Sequence, residues 1–136
     1  MLSVQNLQCS YGDILALHDL SFEARAGEIF ALIGANGAGK TTTIMALAGH
    51  LCPRSGSIHL GGDDVTSIGP RGRLARGVAL VPEGRRVFAD LSVEDNLTVG
   101  GHLQNLAELK ANRENVYSTF PRLAERRSQL AGSLSG

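Results

Sequence analysis

The chain has 136 residues, of which 43% are hydrophobic and 19% charged. That is the composition of one globular domain, or part of one, and it excludes an intrinsically disordered segment. Thirteen Lys and Arg balance thirteen Asp and Glu, so no net field draws the chain to nucleic acid or anionic lipid. Aromatic residues are 4%, with no Trp, which argues against a stacking surface for single-stranded nucleic acid.

Residues 2–9 alternate apolar and polar side chains and predict a strand ending at Tyr11-Gly12. A second strand, about 17–24, closes at Ala26-Gly27. Ile29-Phe30-Ala31-Leu32-Ile33 is a continuous apolar run, the pattern of a strand buried on both faces. A glycine cluster from Gly34 to Gly39 stops it, and a helix is expected over about 40–49. A short strand follows at 57–60, then Gly61-Gly62, a short basic helix at 70–76, and a second buried strand at 78–81 cut by Pro82. Beyond it the chain turns helical, with Ser92 and Asp95 at capping-box spacing. Leu103, Leu106, Leu109, Val116, Phe120 and Leu123 recur at helical spacing and predict a buried stripe. Strand, glycine loop and helix in this order predict an α/β fold with a parallel core.

Cys9 and Cys52 have no metal-ligand or redox spacing and read as buried or idle thiols of a reducing compartment. The N-terminus lacks the basic and apolar regions of a signal peptide, and no apolar run approaches ~18 residues. The expectation is a cytoplasmic chain without direct membrane insertion and without a nucleic-acid partner.

Gly34-Ala35-Asn36-Gly37-Ala38-Gly39-Lys40-Thr41 fits the pattern GxxxxGK[ST] at every defined position. Glycines allow the loop to aim successive backbone N–H groups inward as a nest for phosphate oxygens. The helix opening near Gly39 adds the positive end of its dipole. Lys40 brings a fixed charge to the β- and γ-phosphates, and the Thr41 hydroxyl is a candidate Mg²⁺ ligand. The apolar strand before the motif and the helix after it are the context this chemistry requires. A Rossmann reading fails, because Thr42 stands where the third glycine belongs. Neither an NKxD nor a DxxG string suited to a GTPase occurs. Tyr11, in a strand-ending turn, is a candidate for stacking on adenine.

Taken with Tyr11 and residues 34–42, the ending Leu134-Ser135-Gly136 resembles the first residues of the LSGG signature of ABC transporter ATP-binding subunits. The run Val81-Pro82-Glu83-Gly84-Arg85-Arg86-Val87-Phe88 is more specific. With Leu91-Ser92-Val93-Glu94-Asp95-Asn96-Leu97, Phe120-Pro121-Arg122-Leu123 and Glu125-Arg126-Arg127, it resembles the ATPase subunits of branched-chain amino-acid importers. The resemblance covers all of 1–136, matching somewhat over the first half of such a subunit.

That resemblance implies the N-terminal part of a P-loop NTPase fold of the ABC type. Antiparallel strands and parallel core strands would surround the P-loop helix in an incomplete sheet, with a core at 1–90 and the start of a helical subdomain at 91–136. It implies ATP and Mg²⁺ as cofactors. Tyr11, Gly34, Ala35, Asn36, Gly37, Ala38, Gly39, Lys40, Thr41 and Thr42 would hold the nucleotide. Lys40 and Glu83 would be catalytic, Thr41 and Glu83 would meet Mg²⁺, and Ser135 and Gly136 would cover the ATP of a partner subunit. The family usually has Gln at the position of Glu83, a departure that this importer branch shares. Implied partners are a second ATP-binding subunit, head to tail, and transmembrane permease subunits, with the chain itself peripheral on the cytoplasmic face of the inner membrane. No four-residue apolar run is followed by Asp-Glu, so the Walker B aspartate and general base are missing, as is the switch histidine. Residues 1–136 alone are therefore expected not to hydrolyse ATP. Two other readings stand beside this one: a nucleotide-binding module without turnover, and the ATPase of another ABC importer such as one for urea.

Overall fold

The computed structural model describes residues 1–84 and 86–134. The chain divides into two compact units, Met1–Leu80 and Val81–Gly136.

In the first unit, β1 (Leu2–Tyr11) and β2 (Ile14–Ala24) form a hairpin. β3 (Ser55–Leu60) and β4 (Asp63–Asp64) extend it to a four-stranded antiparallel sheet in the order β2-β1-β3-β4. Alternation along β1 changes phase part-way. Val4 and Leu7, three residues apart, are both buried, which a regular strand forbids. A bulge reconciles them: Val4 pairs with Phe22 and Leu7 with Leu20, so β1 holds one extra residue between the pairs. Asn6 occupies that place with φ +48°, and its side-chain amide donates to the carboxylate of Asp19 (φ +47°) at 3.0 Å. Facing the bulge, Gly56 of β3 takes φ +86°. A Cβ there would overlap the Asn6 carbonyl oxygen and lie 2.5 Å from that of Gln5.

α1 (Lys40–Leu47) packs its Thr43 and Ala46 side on the sheet. Val4, Leu7, Cys9, Leu17, Ala46, Ile58 and Val65 form the core, closed by Leu20, Phe22, Leu47, Leu51 and Ile68. Cys9 is buried in it, Cys52 is exposed, and both are free thiols. α2 (Pro70–Ala75) starts with Pro at its first position, where the missing N–H has no role.

The two strands expected at 29–33 and 78–81 do not form. Ile33 is 90% exposed and Val81 91%, and no ladder joins either segment among the described residues. A strand of a parallel sheet exists only through its neighbours' hydrogen bonds. No such neighbour lies beside these segments in the described residues, so an apolar run alone does not make a strand. Phe30 is held all the same, its ring stacked on Phe22 of β2 with centroids 4.8 Å apart.

The second unit is helical: α3 (Val93–Gly100), α4 (Leu106–Thr119) and α5 (Pro121–Glu125), ending in a 3-10 turn at Ala131–Ser133. Ser92 caps α3, accepting from the Asp95 N–H at 3.0 Å, while its hydroxyl donates to the Asp95 carboxylate at 2.6 Å. Residues 127–132 run back along 89–94, and the N–H groups of Val93 and Glu94 donate to the carbonyls of Gln129 and Arg127. Asn96 ties down the preceding loop, accepting from the Phe88 N–H and donating to the Phe88 carbonyl.

α4 carries a reciprocal capping box as well. Asn105 accepts from the N–H of Ala107 and Glu108, and its own N–H donates to the Glu108 carboxylate at 3.0 Å. Asn105→Ala is expected to destabilise this unit by about 1 kcal/mol, read as a lower unfolding midpoint with the helical signal of the first unit unchanged. The stripe expected to be buried is only partly so. Leu103, Leu109, Val116 and Leu123 are half-buried, but Leu106 and Phe120 are exposed. Leu106 is the first residue of α4 and Phe120 lies between α4 and α5, so both stand at helix ends, where less of the chain covers them.

Candidate functional site

The loop between Ile33 and α1 is built by backbone geometry. Gly37 and Gly39 both sit at φ +85°, a region that side chains with a Cβ rarely adopt. Gly39 has a second reason to be glycine: a Cβ would meet Leu17 Cδ1 at 2.9 Å and the Ala16 carbonyl oxygen at 3.1 Å. The loop is thereby pressed onto β2, and its last residue is the N-cap of α1. The Thr43 N–H and hydroxyl both donate to the Gly39 carbonyl, at 2.8 and 2.9 Å, and lock the first turn.

No side chain caps α1, so the opening N–H groups, which have no acceptor inside the helix, face outward. α3 is the contrast, since there Ser92 and the carbonyls of residues 127 and 129 take those donors. The Lys40 ammonium folds over the loop and donates to the carbonyl oxygens of Gly34 at 2.7 Å and Ala35 at 2.6 Å. Free helical N–H groups, left-handed glycines and a cation at one point make an anion cradle. Lysine and amide donors fit a polyphosphate. The exposed hydroxyl of Thr41, next to Lys40, fits one position in the shell of a hard divalent cation.

Of the residues singled out from sequence, Gly34 to Thr41 are thus assembled in one place. Thr42 is buried and can offer its backbone N–H but not a free side chain. Tyr11 is the last residue of β1 with its ring half exposed, and no hydrogen bond or ring contact joins it to the loop among the described residues. Glu83 lies in the second unit, in an exposed bend. Ser135 and Gly136 fall outside the described residues.

Arg73 has no distinction in the sequence, where it is one basic residue of a short basic helix. In the fold its side chain is 1% exposed and donates to three carbonyl oxygens, those of Leu47 (2.8 Å), Ile68 (3.1 Å) and Thr66 (3.3 Å). Burial pulls its pKa down, and the charge of Asp64 acts in the opposite sense. Arginine nonetheless remains protonated. No spacing rule marks such a residue, because its partners are backbone carbonyls scattered from 47 to 68.

The family model described as ABC transporter matches residues 17–136. The chain belongs to the ABC transporter family. It is 45% identical over 136 residues to the high-affinity branched-chain amino acid transport ATP-binding protein BraG of Pseudomonas aeruginosa, covering all of this chain and 58% of the relative. It is 32% identical, with the same coverage, to a probable branched-chain amino acid transport ATP-binding protein, LivF, of Archaeoglobus fulgidus. Among solved structures, an ATP binding subunit of an ABC transporter superposes with a TM-score of 0.82 at 32% identity, covering 99% of this chain and 56% of the other. This ABC transporter chain thus spans a little over half the length of the curated relatives it matches. The superposition bears out the fold at the level of its N-terminal part. No helix among the described residues is long and apolar enough to cross a membrane.

Proposed function

We propose that this chain belongs to the ATP-binding subunit of an importer for branched-chain amino acids. The observation that carries the reading is the 45% identity to BraG along all 136 residues, on a chain whose Lys40 and α1 already form the cradle. In the ATP-bound subunit, Lys40 and the N–H groups of residues 35–42 neutralise and orient the phosphates, and Tyr11 supports the adenine. Thr41 and Glu83 would hold Mg²⁺, which when bound draws charge from the β- and γ-oxygens. Chemistry in such a site is mostly positioning and charge neutralisation. Ser135 and Gly136 would close over the nucleotide of a second subunit. We assign 1–90 to the ATP-binding core and 91–136 to the helical subdomain. The subunit would sit on the cytoplasmic face of the membrane, against transmembrane permease subunits that take part in selecting the cargo.

The deciding experiment is leucine uptake by cells lacking the endogenous gene and supplied with the whole coding sequence. Restored uptake, lost again with Lys40→Ala, is the expected result. Restored urea uptake without leucine uptake would overturn the amino-acid assignment.

A second reading, nucleotide binding without turnover, is favoured by one observation: within 1–136 no apolar run is followed by Asp-Glu. Water then has no carboxylate base. Purified 1–136 is expected to release no phosphate from ATP above a Lys40→Ala control, and release above that control would contradict it.

A further inference from the structure

We infer that Arg73 is a positioning residue for the phosphate cradle, acting through the far end of α1; the inference rests on the ATP-binding reading above. α1 has eight residues and is therefore about 12 Å long. Its front end is fixed where Gly39 meets Ala16 and Leu17 of β2. Its rear end is fixed by the Arg73 guanidinium, which donates to the carbonyl of Leu47, the last residue of the helix. Terminal helix carbonyls have no donor inside the helix and carry the negative end of its dipole, so a buried cation suits that place on both counts.

The same side chain reaches Thr66 and Ile68 and so ties the helix end to the loop that leads into α2. Gly49 makes room for it. A Cβ at 49, where φ is +79°, would meet the Ile68 carbonyl oxygen at 2.8 Å and Arg73 Cγ at 3.0 Å. The guanidinium is thus enclosed, and three donated bonds determine its orientation. A short rigid helix held at both ends cannot pivot. Released at Leu47, it can tilt about the Gly39 contact on the Ala46 packing face, which turns the directions of the first-turn N–H groups and of the Lys40 side chain while displacing them little. Sites of this kind tolerate misorientation of only about 10–20°.

The test compares Arg73→Met, Arg73→Lys and Gly61→Ala in the full chain. Gly61 has φ +63° and open space around it, so its alanine variant loses stability in the same unit without touching α1. ATP affinity is measured by titration at a temperature where circular dichroism shows each variant folded. Arg73→Met is expected to bind ATP about tenfold more weakly, with Arg73→Lys between it and the wild type, and Gly61→Ala at the wild-type value. Wild-type affinity in Arg73→Met would overturn the inference, and so would equal losses in Arg73→Met and Gly61→Ala. Should Arg73→Met not fold, Arg73→Lys decides, since undiminished affinity there overturns it as well. Failure of the wild type itself to bind ATP would instead sink the functional reading, and the inference with it.

Discussion

Lys40→Ala is expected to abolish measurable ATP binding while leaving the fold intact. The ammonium group lies on the loop's own carbonyls at Gly34 and Ala35, poised over the helix terminus where phosphate charge would sit. Hydrogen bonds between charged partners contribute about 1.5–3 kcal/mol each. Losing two of them to phosphate oxygens therefore weakens binding by roughly 3–6 kcal/mol, or at least a hundredfold. Both present bonds of Lys40 are exposed, and its removal leaves the packed faces of Thr43 and Ala46 untouched. The melting temperature should accordingly move by no more than a few degrees. Calorimetric titration with ATP and a thermal melt of the same sample separate the two effects. Undiminished affinity would refute the cradle, and collapse of the melt would show that Lys40 is structural.

The largest effect on stability is expected from Gly56→Ala. At φ +86° any Cβ carries strain of about 1–2 kcal/mol. Here it would also overlap backbone atoms of Gln5 and Asn6 on the neighbouring strand. Backbone cannot rotate out of the way as a side chain can, so β1 and β3 must separate at the bulge, at a cost of about 1–3 kcal/mol or more. The sum, about 2–5 kcal/mol, corresponds to a fall of roughly 8–40 °C in a unit of this size. Gly61→Ala isolates the first contribution, because its φ is also positive but nothing lies within 4 Å. Equal unfolding midpoints for the two variants would show that the close approach of the strands costs nothing.

The consequence reaches the candidate site by a short route. β1 and β3 carry Val4, Leu7 and Ile58 of the core on which Ala46 of α1 rests. Leu17 of β2, paired with Cys9 of β1, presses against Gly39. A sheet distorted at Gly56 therefore lends less support to the helix that presents the cradle.

Two features are legible in the residues themselves. GxxxxGK[ST] between an apolar run and a helix specifies both a backbone conformation and a charge, since only glycines enter the left-handed region freely and Lys40 follows them directly. Alternation and glycine punctuation likewise mark the hairpin, β3 and α2 close to their observed bounds. The strands expected at 29–33 and 78–81 and the stripe from Leu103 to Leu123 are less legible. Apolar character states what a segment would gain by burial, and the gain is realised only where another element covers it.

From sequence alone, then, follow the family, the glycine loop proposed to hold phosphate and the lysine beside it, because those depend on residue types at fixed local spacing. Tertiary structure alone decided the bulge at Asn6 with its glycine partner at 56, the burial of Thr42 and the burial of Arg73 among three carbonyls. Each of these arises where backbone atoms distant in the chain come within hydrogen-bonding or van der Waals reach. Every residue carries the same backbone carbonyl, and all but proline the same N–H, so no pattern of side chains announces such a meeting.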